Sequence, residues 1–136
     1  MEIINRSKNQ NVLCVKADKF PEGIKDAFDK LYSGITNPDK RTFYGISYMG
    51  ENGEIIYKAA ADELSEKESE ETGLERFTIE KGDYISKRIE DFMNNIPKIG
   101  ETFNELFKDE RIDKDKGYCL EEYVNDKDVI CMIKLK

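Results

Sequence analysis

The sequence predicts an α+β fold: two strand-helix-strand-strand repeats forming an antiparallel sheet, with two helices on one face and a ligand cleft on the other. Three observations predict it. Two segments carry apolar residues at the spacing of an amphipathic helix. Each is preceded and followed by β-rich runs. One pair of runs flanks the turn Asn52-Gly53, a hairpin signal. The repetition is one of element order, not of sequence identity between the halves.

In chain order, Glu2 to Asn5 and Val12 to Lys16 read as short strands. Pro21 opens a helix whose stripe is Ile24, Ala27, Phe28, Leu31, Tyr32 and Ile35. Gly34 and the turn Asn37-Pro38-Asp39 end it. Strands Thr42 to Met49 and Glu54 to Ala61 follow. The charged stretch Glu63 to Glu71 reads as a solvated loop or a frayed helical turn at the junction between the halves. Arg76 to Ile79 and Asp83 to Ile89 are extended around Lys81-Gly82. A second helix runs through Ile96, Ile99, Phe103, Leu106 and Phe107, with Pro97 acceptable in its first turn. Gly100 weakens that helix and suggests close approach to the sheet. Phe28, Phe103 and Phe107 are expected in the core. Lys114 to Gly117 reads as a turn, and strands Tyr118 to Val124 and Val129 to Lys134 close the chain. Each helix needs a sheet face to cover its single apolar stripe.

Composition narrows the function. The chain of 136 residues reads as one domain, 1–136, long enough to bury a real core. A net charge of −7 argues against direct nucleic-acid binding, which needs a basic face, and favours cations near the surface. Met1 to Arg6 lacks the apolar core of a signal peptide, and no apolar run approaches a membrane span. Three cysteines, Cys14, Cys119 and Cys131, lie far apart without CxxC spacing, which predicts reduced, buried thiols in a cytoplasmic protein. Histidine is absent. That removes Ser-His-Asp and Cys-His catalysis in their usual forms and argues against zinc; no metal or other cofactor is implied.

The run Gly117 to Asp126, GYCLEEYVND, places acid between aromatics on a strand. Alternation puts Cys119, Glu121 and Tyr123 on one face and Tyr118, Leu120, Glu122 and Val124 on the other. Either Glu121 or Glu122 therefore faces inward unless both are solvated at a sheet edge. A buried carboxylate is expensive without a partner, and a cationic or proton-exchanging ligand would supply one. Tyr44 and Tyr48 share a strand face, and Tyr57, Tyr84 and Phe92 lie on other segments that could line the same cleft.

The order of elements, with its punctuating residues, resembles the GyrI-like small-molecule-binding domain, the effector-binding domain of AraC-type and MerR-type transcription activators. Tyr44-Gly45-Ile46-Ser47 is similar to the family's early Gly-containing strand, and Tyr57-Lys58-Ala59-Ala60 to its aromatic-x-small-small strand. Phe77 to Tyr84 resembles the segment before the second helix. Leu120 to Asp126 resembles the apolar-Glu-x-Tyr-x-Asn-Asp strand, and Val129 to Leu135 the closing strand. The likeness covers residue 12 onward. It departs at Phe103, where the family often has Trp, and no DNA-binding domain accompanies it, so the chain is not a complete transcription factor.

The resemblance implies a stand-alone domain that binds lipophilic, often cationic aromatic compounds, as in multidrug-responsive regulators. By motif the family's glutamate falls on Glu121, with Tyr123, Tyr44, Tyr48, Tyr84 and Phe92 as candidate ligand-binding residues. Flanking aromatic rings would each add about 0.5–2 kcal/mol of cation–π attraction. Two other functions follow from the resemblance. One is a small hydrolase of reactive aromatic compounds, with Glu121 as general base. The other is a gyrase-modulating protein-interaction module. A homodimer or a protein partner is compatible with any of these.

Overall fold

Eight strands and three helices form in the computed structural model, which describes residues 1–114 and 117–136. In order they are β1 (Glu2–Arg6), β2 (Gln10–Lys16), α1 (Ile24–Gly34), β3 (Phe43–Met49), β4 (Ile55–Asp62) and α2 (Glu68–Thr72). Then come β5 (Glu75–Ile79), β6 (Gly82–Ile89), α3 (Pro97–Leu106), β7 (Cys119–Tyr123) and β8 (Val129–Lys134). The turn expected at Lys114 to Gly117 lies partly outside the described residues.

The strands make one sheet in the order β1-β6-β8-β7-β3-β4-β2-β5, with every neighbouring pair antiparallel. Two βαββ units account for its centre. β2-α1-β3-β4 supplies the run β3-β4-β2, and β6-α3-β7-β8 supplies β6-β8-β7. They meet where β3 pairs β7, with Gly45 opposite Glu121. Each unit is completed by the strand that precedes the other: β1 pairs β6, and β5 pairs β2.

This exchange forces the sheet to curl. β5 and β6 stand at positions eight and two of the strand order, yet only Glu80 and Lys81 join them. Six strand spacings would be about 29 Å in a flat sheet, while three peptide units reach about 10 Å. The crossing is clamped: the Tyr84 hydroxyl donates to the Glu80 carbonyl at 2.7 Å, and the Tyr118 hydroxyl accepts from the Glu80 N–H at 3.0 Å. Lys81 N–H donates to Asn9 Oδ1 at 2.8 Å, tying this crossing to the one between β1 and β2. Gly82 takes φ +137°, a backbone conformation open to glycine.

Curling brings the concave-face side chains of distant strands together. Val12, Tyr44, Ile46, Tyr84, Leu120 and Met132 pack in one cluster that fills the hollow. The middle of the face opposite the helices, where a cleft is expected, is therefore occupied by core. The two helices do share one face, the convex one. α1 packs on β2 and β4, α3 on β6 and β8, and the strip β7–β3 between them is left without a helix. Two separate apolar clusters result, one beneath each helix.

Two further expectations are corrected. Phe107 is 44% exposed, because α3 ends at Leu106 and the chain turns away. Gly100 is not pressed against the sheet; a Cβ built there meets nothing within 4 Å. The charged stretch Glu63 to Glu71 carries the short helix α2, held by Glu68, whose carboxylate meets Arg41 and caps the Leu64 and Ser65 N–H groups.

Candidate functional site

The uncovered β7–β3 strip forms the floor of a cavity of about 330 Å³ between α1 and α3. Strand alternation and register decide what the floor presents. Gly45 and Ser47 of β3, Tyr57 of β4, and Glu121 and Tyr123 of β7 all face it. Phe20 and Ile24 close one side, and Phe92, Ile99 and Phe103 the other.

Glu121 is the centre of this floor and is 8% exposed. Its Oε1 accepts from the Tyr123 hydroxyl at 2.5 Å, and the Tyr57 hydroxyl lies 3.5 Å from that of Tyr123. With the carboxylate ionised, Tyr123 gives its hydrogen to Glu121 and Tyr57 is left to donate to Tyr123. Among the described residues no Lys or Arg pairs with Glu121. Burial raises its pKa, and the Tyr123 hydrogen bond opposes that rise only in part. The same burial, with the acid nearby, pushes both tyrosine hydroxyls up, so they remain donors.

The neighbouring thiols are silent. Burial pushes Cys119 up to about 12 and raises Cys131 further, with Glu121 adding to both. Cys14, Cys119 and Cys131 are all free. A thiol so raised is a poor nucleophile at neutral pH.

The rings around the acid interlock. Phe20 stacks on Tyr57 with centroids 5.8 Å apart, Phe28 meets Tyr123 edge-on at 5.9 Å, and Phe92 tilts against Tyr123 at 5.5 Å. The cavity thus offers one buried carboxylate in an aromatic and aliphatic setting. That is the chemistry of a counter-ion for a desolvated cation, since both ring faces and carboxylate attract positive charge.

Of the residues singled out from sequence, the structure gathers Glu121, Tyr123 and Phe92 here. The choice between the two glutamates falls to Glu121; Glu122 faces the concave side and pairs with Arg6 at 3.0 Å. Tyr44, Tyr48 and Tyr84 are not in this cavity, because alternation turns them to the concave face. Tyr44 donates to Asp62 at 3.0 Å, Tyr48 lies under the Lys58 ammonium at 5.5 Å, and Tyr84 serves the β5–β6 crossing. Sequence reasoning missed Phe20 and Ser47 as lining residues and ranked Tyr57 below Tyr123. The signal for Tyr57 was present: its face of β4 continues through Ala59 and Ala61, and β3 opposite offers Gly45 and Ser47. So many small side chains on one face leave room either for a close helix or for a cavity.

No helix among the described residues is long and apolar enough to cross a membrane. No family model and no curated protein matches the sequence. Solved structures do resemble it in fold. An integron cassette protein from the mobile metagenome of Vibrio cholerae aligns over 99% of this chain and 95% of its own, at TM-score 0.67 and 16% identity. SAV2435, in a structure bound to tetraphenylphosphonium, aligns over 99% of this chain and 93% of its own, at TM-score 0.71 and 10% identity. A hydrolase from Listeria innocua aligns over 99% and 90%, at TM-score 0.60 and 14% identity. At these identities the likeness is one of fold, and it extends over nearly the whole of each chain.

Proposed function

We propose that this chain is a small-molecule-binding domain of the GyrI-like type that takes lipophilic, cationic aromatic compounds, with Glu121 as the counter-ion. The observation that carries the reading is a buried carboxylate, lacking a cationic partner among the described residues, on the floor of an aromatic-lined cavity. A fold neighbour was solved with a lipophilic cation bound, which supports the same ligand class. In this reading residues 1–136 act as a single domain in the cytoplasm, in keeping with three free cysteines, and the ligand signal serves regulation.

The test uses the tyrosines as reporters. Titration with tetraphenylphosphonium or a cationic dye is expected to quench tyrosine fluorescence, since Tyr57 and Tyr123 line the cavity. Glu121→Gln is expected to weaken binding of cations by tenfold or more while leaving neutral aromatics of similar size nearly unchanged. Equal loss for both classes would remove the counter-ion role.

A second reading, hydrolysis of a reactive aromatic compound, draws on the chain Tyr57–Tyr123–Glu121. A carboxylate with a raised pKa can take a proton from water, and a tyrosine hydroxyl can hold an electrophile in place. A fold neighbour is described as a hydrolase. Mass spectrometry of an electrophilic aromatic compound incubated with the protein would reveal a water-added product, lost in Glu121→Gln. Product formation at the protein-free rate would eliminate this reading.

A further inference from the structure

A second concavity, of about 540 Å³, lies beyond the first, on the outer side of Phe92 and Tyr123. These two residues are the ones that line both spaces. The outer groove is walled by Phe28, Tyr32, Phe43 and Val124, and carries the exposed carboxylates of Asp39 and Asp126. The guanidinium of Arg41 also borders it but is spent on Glu68 and on the carbonyls of Thr36 and Asp62. The outer groove therefore presents aromatic surface and acid that no Lys or Arg among the described residues pairs, as the inner cavity does.

The two halves of the partition are held differently. Tyr123 is fixed by its hydroxyl on Glu121 and by the Phe28 ring. The Phe92 side chain has no polar anchor; its ring, 8% exposed, is held by packing in the apolar cluster beneath α3 and against Tyr123. Its backbone, by contrast, is anchored: the Phe92 N–H donates to the Lys127 carbonyl at 2.9 Å, and the preceding Asp91 N–H to Asp128 Oδ1 at 3.3 Å. Asp91 itself is in the left-handed region at φ +53°, a conformation that aims the three-residue 3₁₀ turn Phe92–Asn94 at the cavity. With its backbone fixed and its ring held by apolar, non-directional packing alone, Phe92 can change rotamer without breaking a hydrogen bond, at the cost of that packing.

We infer that Phe92 is the specificity-determining partition of this site: its ring divides a shallow aromatic groove from the Glu121 cavity, and turning it aside joins them into one cleft for multi-ring cations. This rests on the cation-binding reading above and adds a size rule to it. The inner cavity, near the lower end of the roughly 300–1,000 Å³ of drug-sized sites, suits cations with one ring. Larger ions must displace Phe92, so the ring favours small cations, by contact, and penalises bulky ones, by rotation.

Calorimetric titration of the whole chain with benzyltrimethylammonium and with tetraphenylphosphonium tests this in wild type, Phe92→Ala, Phe92→Leu and Glu121→Gln. Phe92→Ala is expected to tighten tetraphenylphosphonium threefold or more and to weaken benzyltrimethylammonium by a similar factor. Phe92→Leu, which keeps apolar volume without the flat ring, is expected to move both ions in the same senses by less, and serves if the alanine variant does not fold. Changes of the same sign and size for both ions, with Glu121→Gln still weakening both, would overturn the partition while leaving the cation site standing. Absence of binding by either ion to any form would overturn the cation-binding reading and this inference with it.

Discussion

Gly45 and Glu121 face each other across the seam where the two βαββ units meet, and the glycine's lack of a side chain leaves room for the Tyr57 hydroxyl beside the acid. A Cβ built on Gly45 would stand 2.2 Å from the Tyr57 hydroxyl oxygen and 3.1 Å from Glu121 Oε1. In a strand interior, alanine is ordinarily better than glycine by roughly 0.5–1 kcal/mol. Here the sign should reverse. Gly45→Ala is expected to destabilise the protein by about 1–3 kcal/mol, the usual range for overpacking, and to expel Tyr57 from its place beside Tyr123. Urea unfolding of the variant checks this; a gain in stability would show that the floor of the cavity is slack.

The buried acid also sets a pH dependence. Burial raises the Glu121 pKa in the folded state, so the native form holds its proton at pH values where the unfolded chain has released it. Stability from this group is complete below the unfolded value and is lost as pH rises through the interval up to the folded one. Cation binding has the opposite trend, because a cation needs the ionised form. Tyr57, Tyr123, Cys119 and Cys131, which share its surroundings, are all pushed upward and stay neutral across that interval. Thermal unfolding from pH 4 to 8 is thus expected to show a decline in wild type that Glu121→Gln abolishes, leaving the variant the more stable ligand-free form near neutrality. Parallel curves for the two proteins would mean that Glu121 titrates alike in the folded and unfolded chain.

Much of this arrangement could be read from the chain, and the parts that could not have a common cause. The stripes Ile24–Leu31 and Ile99–Leu106 and the hairpin around Asn52-Gly53 are local patterns, and each forms where expected. Alternation along Cys119–Tyr123 correctly joined Glu121 to Tyr123. What local pattern does not carry is the sense of the curl. It comes from the exchange of β1 and β5 between the units, a long-range choice. Curl decided that the concave side fills, that Tyr44 and Tyr48 join its packing with Tyr84, and that the cavity opens between the helices instead. Local pattern also hides the partner of Glu68 within the charged stretch, because Arg41 is distant along the chain.

Tyr123 is expected to act mainly through its hydroxyl. Tyr123→Phe keeps the ring that meets Phe28 and Phe92 but removes the donor to Glu121. A hydrogen bond to a charged group contributes about 1.5–3 kcal/mol, so the ionised carboxylate becomes harder to hold and its pKa rises further. The midpoint of the pH profile for tetraphenylphosphonium binding is therefore expected to move to higher pH, with little change in affinity on its alkaline plateau. A uniform drop in affinity at every pH would instead assign Tyr123 a direct contact with the ligand.

Arg41 supports the outer groove from beneath and should be among the most sensitive positions in the chain. Its side chain is 0% exposed; it donates to Glu68 at 2.6 and 3.0 Å, to the Thr36 carbonyl at 2.8 Å and to the Asp62 carbonyl at 2.7 Å. These bonds tie the end of β4 and α2 to the turn after α1. Removing one member of such a pair leaves the other without compensation, a loss of about 3–5 kcal/mol. Arg41→Ala is expected in that range by urea unfolding, and Arg41→Lys to recover only part of it, since an ammonium cannot reproduce the forked contact. The guanidinium also holds the Glu68 carboxyl below its ordinary value. That contribution is present above the unfolded glutamate pKa and is lost as pH falls through the folded one. The gap between wild type and Arg41→Ala should therefore narrow on acidification; a gap that stays constant with pH would assign the loss to the two carbonyls alone.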